Sequence, residues 1–150
     1  MHSGTEHKIK APIVALFQEP PFRDELIPPN GRSVREYQLD ETQFRADFAY
    51  QTKNGGWFFV EDDDAQRCLS NFIKYWRWAE CHTDQHISLL HLIGHSGAGP
   101  LLLLEFVRQK AHAALPNFSS QIVQTKNWET SAWIEKFKVA ALLLPPFNEP

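Results

Sequence analysis

The segment Ile87-Ser88-Leu89-Leu90-His91-Leu92-Ile93, running directly into Gly94-His95-Ser96-Gly97-Ala98-Gly99-Pro100, constrains this chain more than any other. Its apolar residues are almost continuous, with no alternation to a wet face. A run from His86 to Ile93 of this kind predicts a strand buried on both faces, the pattern of a central parallel strand. The glycines that follow predict a tight turn. Pro100 then opens a helix at a position that tolerates its missing N–H, and that helix ends before Pro116. A strand buried on both faces needs helices above and below it. The expected fold is therefore α/β: a small, mostly parallel sheet flanked by helices.

The rest of the chain supplies elements for that fold. Ala65, Cys68, Leu69, Phe72, Trp76 and Ala79 share one face at helical spacing, which predicts a helix over residues 64–79. Asp62-Asp63-Asp64 stand where carboxylates cap free N–H groups and meet the positive end of the helix dipole. Ile13–Phe17 reads as a strand stopped by Pro20-Pro21, and Ser33–Leu39 as a second. Phe44–Tyr50 and Trp57–Val60 flank Asn54-Gly55-Gly56, which predicts a hairpin, although Phe44 and Phe48 also fit one helical turn. Ser120–Thr125 reads as a short strand. Trp128–Leu144 reads as a last helix, with Trp133, Phe137, Ala140, Ala141 and Leu144 on one face and Pro145-Pro146 beyond it.

Hydrophobic residues make up 43% of the chain, with five Trp, three Tyr and eleven Phe. That is enough apolar surface for one core, and residues 1–150 read as a single domain. Fifteen basic residues against eighteen acidic leave a net charge of -3. This balance argues against a nucleic-acid partner, whose footprint is normally basic. The N-terminus is polar and no apolar run approaches the length of a membrane span, so no membrane association and a cytoplasmic location are expected. Cys68 and Cys81 are too few for a disulfide scaffold.

Gly94-His95-Ser96-Gly97-Ala98 resembles the nucleophile elbow of the α/β-hydrolase family. A serine held in a strained strand-to-helix turn needs small residues two positions before and after it, here Gly94 and Ala98. The resemblance implies Ser96 as nucleophile, with His95 its neighbour in the elbow and the Gly97 N–H as an oxyanion donor. It also implies Ile13–Phe17 as the strand whose following loop gives the second donor, with Gln18 as the candidate. The remainder of the family's machinery has no counterpart. No Asp follows Ser96, and the one downstream histidine, His112, lies ~24 Å along the helix that starts at the elbow. The chain resembles a truncated α/β-hydrolase core.

Other readings of these residues demand groups that are missing. A phosphate-binding loop needs Lys and Ser/Thr where Pro100 and Leu101 stand. His82, His86, His91 and His95, with Cys81 beside them, lose a shared helical face once 87–93 is a strand, so no metal and no cofactor are expected. Tyr75 and Trp78 fall on a second face of the 64–79 helix, where exposed aromatics would mark a partner surface. The function expected is a non-catalytic accessory protein acting through contact with another protein or a second copy of itself. The alternative is an esterase-like hydrolase using Ser96.

Overall fold

The computed structural model describes residues 4–29, 34–39, 44–64, 66–94, 98–124 and 131–148. In chain order the elements are α1 (Gly4–Phe17), α2 (Phe22–Glu25), β1 (Leu26–Ile27), β2 (Arg35–Gln38), β3 (Arg45–Thr52) and β4 (Trp57–Asp63). They continue with α3 (Cys68–Cys81), β5 (Ile87–Ile93), α4 (Ala98–Ala114), β6 (Phe118–Gln124) and α5 (Ala132–Leu142). Six strands form one sheet in the order β1-β3-β4-β5-β6, with β2 also paired to β3.

The fold is mixed α/β with helices on both faces, but the sheet is not mostly parallel as expected. β4–β5 and β5–β6 are parallel, whereas β1–β3, β2–β3 and β3–β4 are antiparallel. The hairpin at Asn54-Gly55-Gly56 is the reason. A short turn can only return the chain antiparallel, and it sets Phe48 opposite Val60 and Gln51 opposite Trp57. Gly55 supplies the turn's left-handed residue, at φ 85. From β4 onward each strand is followed by a helix that carries the chain back, so the second half is parallel. β5 lies between two parallel neighbours and every residue of it is buried.

Ile13–Phe17 is not a strand but the last part of α1. Ile9, Ile13, Leu16 and Phe17 recur at helical spacing, and all four are buried. They pack on one side of the sheet with Phe48, Tyr50, Phe58, Val60, Leu90 and Leu92, together with Trp133, Phe137 and Ala141 of α5. The other side carries Phe59, Leu89 and Ile93 against Phe72, Tyr75 and Ala79 of α3 and Leu104 and Ala111 of α4. Odd and even residues of β4 and β5 therefore serve different helical layers, as the two-residue period of a strand requires.

The acidic triplet divides. Asp62 and Asp63 close β4, and none of the three caps α3, whose N-cap is Arg67; Asp64 Oδ1 instead accepts the N–H groups of Gln66 and Arg67, both at 2.9 Å, in the turn leading into the helix. α4 begins at Ala98, two residues before Pro100, so the proline lies within the first turn, where no N–H is needed. Among the described residues no helix is long and apolar enough to cross a membrane.

Candidate functional site

Where β4 and β5 end, the apolar alternation is broken by charge. Trp57, Phe59 and then Glu61 and Asp63 point to the α3 side of the sheet, and His91 does so from the middle of β5. α3 meets them with Asn71, Lys74 and Tyr75, spaced so that they share one helical face. Glu61 is 5% exposed, Asp63 8%, Lys74 8% and His91 0%. Buried ionisable groups are costly and survive only when partnered.

The partners are internal. Tyr75 Oη donates to Glu61 Oε1. Lys74 Nζ stands 3.4 Å from the same oxygen and donates to the Arg45 carbonyl at 2.6 Å. Asn71 donates to Asp63 Oδ1, while Asp63 Oδ2 pairs with His91 Nε2 at 2.6 Å. Asp47, one position beyond the Phe48–Val60 pair, accepts the Asp62 N–H at 2.8 Å, which brings its carboxyl group beside that of Glu61. Asp62 itself turns to the opposite face, toward Lys10 of α1. His91 Nδ1 is buried without a hydrogen-bond partner among the described residues.

Negative charge is in excess here, and the protonation equilibria record it. Burial, then the charge of Asp47, lifts the Glu61 carboxyl well above the usual range, against the pull of Lys74. Burial also raises Asp47. Asp62 is pushed up to about 7, first by burial and then by Asp47 and Asp63. Carboxylates crowded in a low-dielectric site cannot all stay ionised without a compensating cation. Among the described residues no three His, Cys, Asp or Glu side chains converge into a ready-made metal cage.

The site lies at the carboxyl ends of two adjacent parallel strands, the usual location of ligand crevices in open α/β sheets. Sequence reasoning did not find it. The available signal was polar residues at inward strand positions: Asp47 between Ala46 and Phe48, Glu61 and Asp63 continuing Trp57-Phe58-Phe59-Val60, and His91 inside Ile87–Ile93.

The residues singled out from sequence fare differently. His95, Ser96 and Gly97 lie outside the described residues, and so does the side chain of Ala98. Gly94 donates its N–H to the Asp63 carbonyl at 3.0 Å, which ties the turn to the end of β4. Gln18 is exposed just after α1, not on a loop after a strand, so the oxyanion role assigned to it loses its basis. His112 pairs through Nε2 with Ser120 Oγ at 2.9 Å. Tyr75 cannot be a partner-binding aromatic, because it is fully buried over Glu61. Trp78 is half-buried, edge-on to Trp57 and Phe59 and stacked on His82. Exposed apolar side chains lie elsewhere, among them Leu102 (70% exposed), Leu103 (58%) and Phe106 (59%) on α4 and Val139 (59%) on α5.

No family model matches the chain, and no curated protein matches it in sequence. One solved structure that is similar is that of an EndoMS complex with double-stranded DNA, at 15% identity and a TM-score of 0.42. The match covers 79% of this chain and 45% of that one. A likeness this slight carries no argument about activity. The expectation that nucleic acid is excluded as a partner is withdrawn: net charge alone supported it.

Proposed function

We propose that Asp47 and Glu61 take a divalent cation of the magnesium class and that the chain hydrolyses a phosphate ester there. The observation that carries this reading is the neighbouring carboxyl groups of Asp47, which accepts the Asp62 N–H at 2.8 Å, and buried Glu61, with Lys74 Nζ 3.4 Å from Glu61. Magnesium is commonly held by one or two carboxylates, with waters and substrate phosphate completing its shell, so a full protein cage is not required. When bound, the cation would polarise the phosphoryl group and activate a water. The chain's own contribution is positional. Tyr75 holds Glu61 in place, and Asn71 and His91 hold Asp63. Lys74 keeps an ammonium where charge on the phosphoryl oxygens is stabilised. Manganese binding followed by electron paramagnetic resonance tests the reading directly. Wild type should bind, Asp47→Asn and Glu61→Gln should each bind about tenfold or more weakly, and wild type with magnesium should cleave a fluorescent DNA duplex or a nitrophenyl phosphodiester. Folded wild-type protein that takes up no manganese overturns it.

A second reading, an accessory role through protein contact, draws on α4. Leu102 and Leu103 border an apolar groove of about 670 Å³ with Gln66, Leu69, Gly99 and Pro100. Exposed apolar patches of this kind mark interaction surfaces. Co-elution with a second copy or a partner, lost in Leu103→Glu, supports that reading, and monomeric elution with no bound partner opposes it. The esterase alternative rests on Ser96 alone and is decided by fluorophosphonate labelling.

A further inference from the structure

We propose that a hollow between Phe44 and the Lys74–Trp78 side of α3 is an anion subsite for a phosphate group flanking the one that reacts. The phosphate identity rests on the phosphoester reading above. The hollow itself is about 40 Å³, lined by Phe44, Lys74, Arg77, Trp78, Cys81 and His82. Four α3 residues and the C-cap His82 fall at i, i+3, i+4, i+7 and i+8 from Lys74, a single stripe of the helix continued by its cap.

Three observations converge on an anion. First, among the described residues the lining carries the Arg77 guanidinium, the His82 imidazole and the Lys74 side chain, and no carboxylate, in a chain with a net charge of -3. Second, these groups are held in place. Arg77 lies over the Phe44 ring at 5.9 Å, and the His82 ring stacks on Trp78 at 3.9 Å with Nδ1 donating to the Trp78 carbonyl at 2.8 Å. A fixed guanidinium and imidazole lose little freedom on capturing a ligand. Third, the Trp78 indole N–H is buried and has no acceptor among the described residues. A buried donor without an acceptor is uncommon, and a ligand oxygen would satisfy it.

Lys74 links the hollow to the carboxylate centre. Its side chain lines the hollow while its Nζ lies beside Glu61 Oε1. A substrate with two neighbouring phosphates would thus place one at the Asp47–Glu61 pair and the next against Arg77 and His82. Among the described residues the α4 groove carries no charged side chain, with Gln66 its one polar lining residue, and serves a different chemistry.

Inorganic pyrophosphate in EDTA tests the subsite without any metal, with binding followed by ³¹P nuclear magnetic resonance and by tryptophan fluorescence. Wild type should bind, and Arg77→Gln combined with His82→Gln should weaken binding about tenfold or more. Lys110→Gln on α4 should leave binding unchanged, and the double variant should keep wild-type manganese affinity. Pyrophosphate binding equal in wild type and the double variant overturns the subsite, as does a wild type that binds none at about 10 mM. Pyrophosphate binding without manganese binding would sink the cation reading alone, so the two failures are distinguishable.

Discussion

His91 of β5 and Asp63 of β4, 28 residues apart in sequence, meet at 2.6 Å between Nε2 and Oδ2 in a site where both side chains are almost completely buried. The pair is closed on its other side by Asn71, which occupies the second oxygen of Asp63. Removing one partner from such a pair leaves a buried carboxylate half unsatisfied. His91→Ala should therefore destabilise the fold by about 3 kcal/mol in urea unfolding. Asp63→Asn in the same background should cost less than it does alone, since the two residues share one interaction. Fully additive losses would show that the pair contributes nothing.

Tyr75 offers a narrower deletion. Phenylalanine keeps the ring among Phe59 and the α3 core but removes the hydroxyl that donates to Glu61. Tyr75→Phe should cost about 1–3 kcal/mol, the penalty of an under-satisfied buried acceptor. Thermal or chemical denaturation measures it, and a neutral substitution would mean that Glu61 is satisfied by Lys74 alone.

Stability should also depend on pH in a specific direction. Asp62 holds its proton up to about 7 in the folded chain, above its ordinary value of 3.8, because burial and the charges of Asp47 and Asp63 oppose ionisation. A raised carboxyl binds its proton more tightly folded than unfolded. The resulting stabilisation is complete below the unfolded value and is lost as pH rises through about 4 to 7. Glu61 and Asp47 are raised too and act in the same direction. The melting temperature should fall across this window, less steeply in Asp62→Asn, and magnesium should restore part of the loss at neutral pH. A wild-type profile identical to that of Asp62→Asn would contradict the assignment.

Gly56 is required by a close approach of backbone to backbone. A Cβ there would stand 2.6 Å from the His86 carbonyl oxygen, which also accepts the Trp57 N–H at 2.8 Å. Gly56→Ala must displace the entry of β5 or the start of β4, and should cost about 1–3 kcal/mol. Gly99, with nothing within 4 Å of such a Cβ, provides the contrast. Gly99→Ala should be tolerated within about 0.5 kcal/mol.

Leu103 and Phe106 on α4 give the opposite expectation from the core. Both are more than half exposed, so Leu103→Glu and Phe106→Ser should change stability by no more than about 0.5 kcal/mol. Their effect should appear instead as reduced self-association at high concentration, read by sedimentation velocity. A large loss of stability would mean these side chains are packed in the isolated chain.

Much of the element order was legible from residues three, four or two positions apart. The strand at Ile87–Ile93, the hairpin around Asn54-Gly55-Gly56, the helix after Asp64 and the helix beyond the glycine turn all announce themselves by local period or turn chemistry. Ile13–Phe17 misled because five apolar residues fit either a strand or a helix end. The partner that decides between them, Ile9, lies upstream of the run. Tyr75 misled for a related reason. A helix shows two faces in its sequence, but not that a buried carboxylate on β4 awaits one of them.

Sequence by itself determined that β5 is a central strand, that helices cover it, and where the chain turns, because those properties depend on neighbours along the chain. Only the tertiary structure decided that half the sheet runs antiparallel, and that Asp47, Glu61, Asp63, Lys74 and His91 form one centre. Strand direction and cross-strand contacts depend on how distant segments close upon each other. A polar residue in an apolar run gives no sign, before that closure, of whether it will be exposed, paired or part of a site.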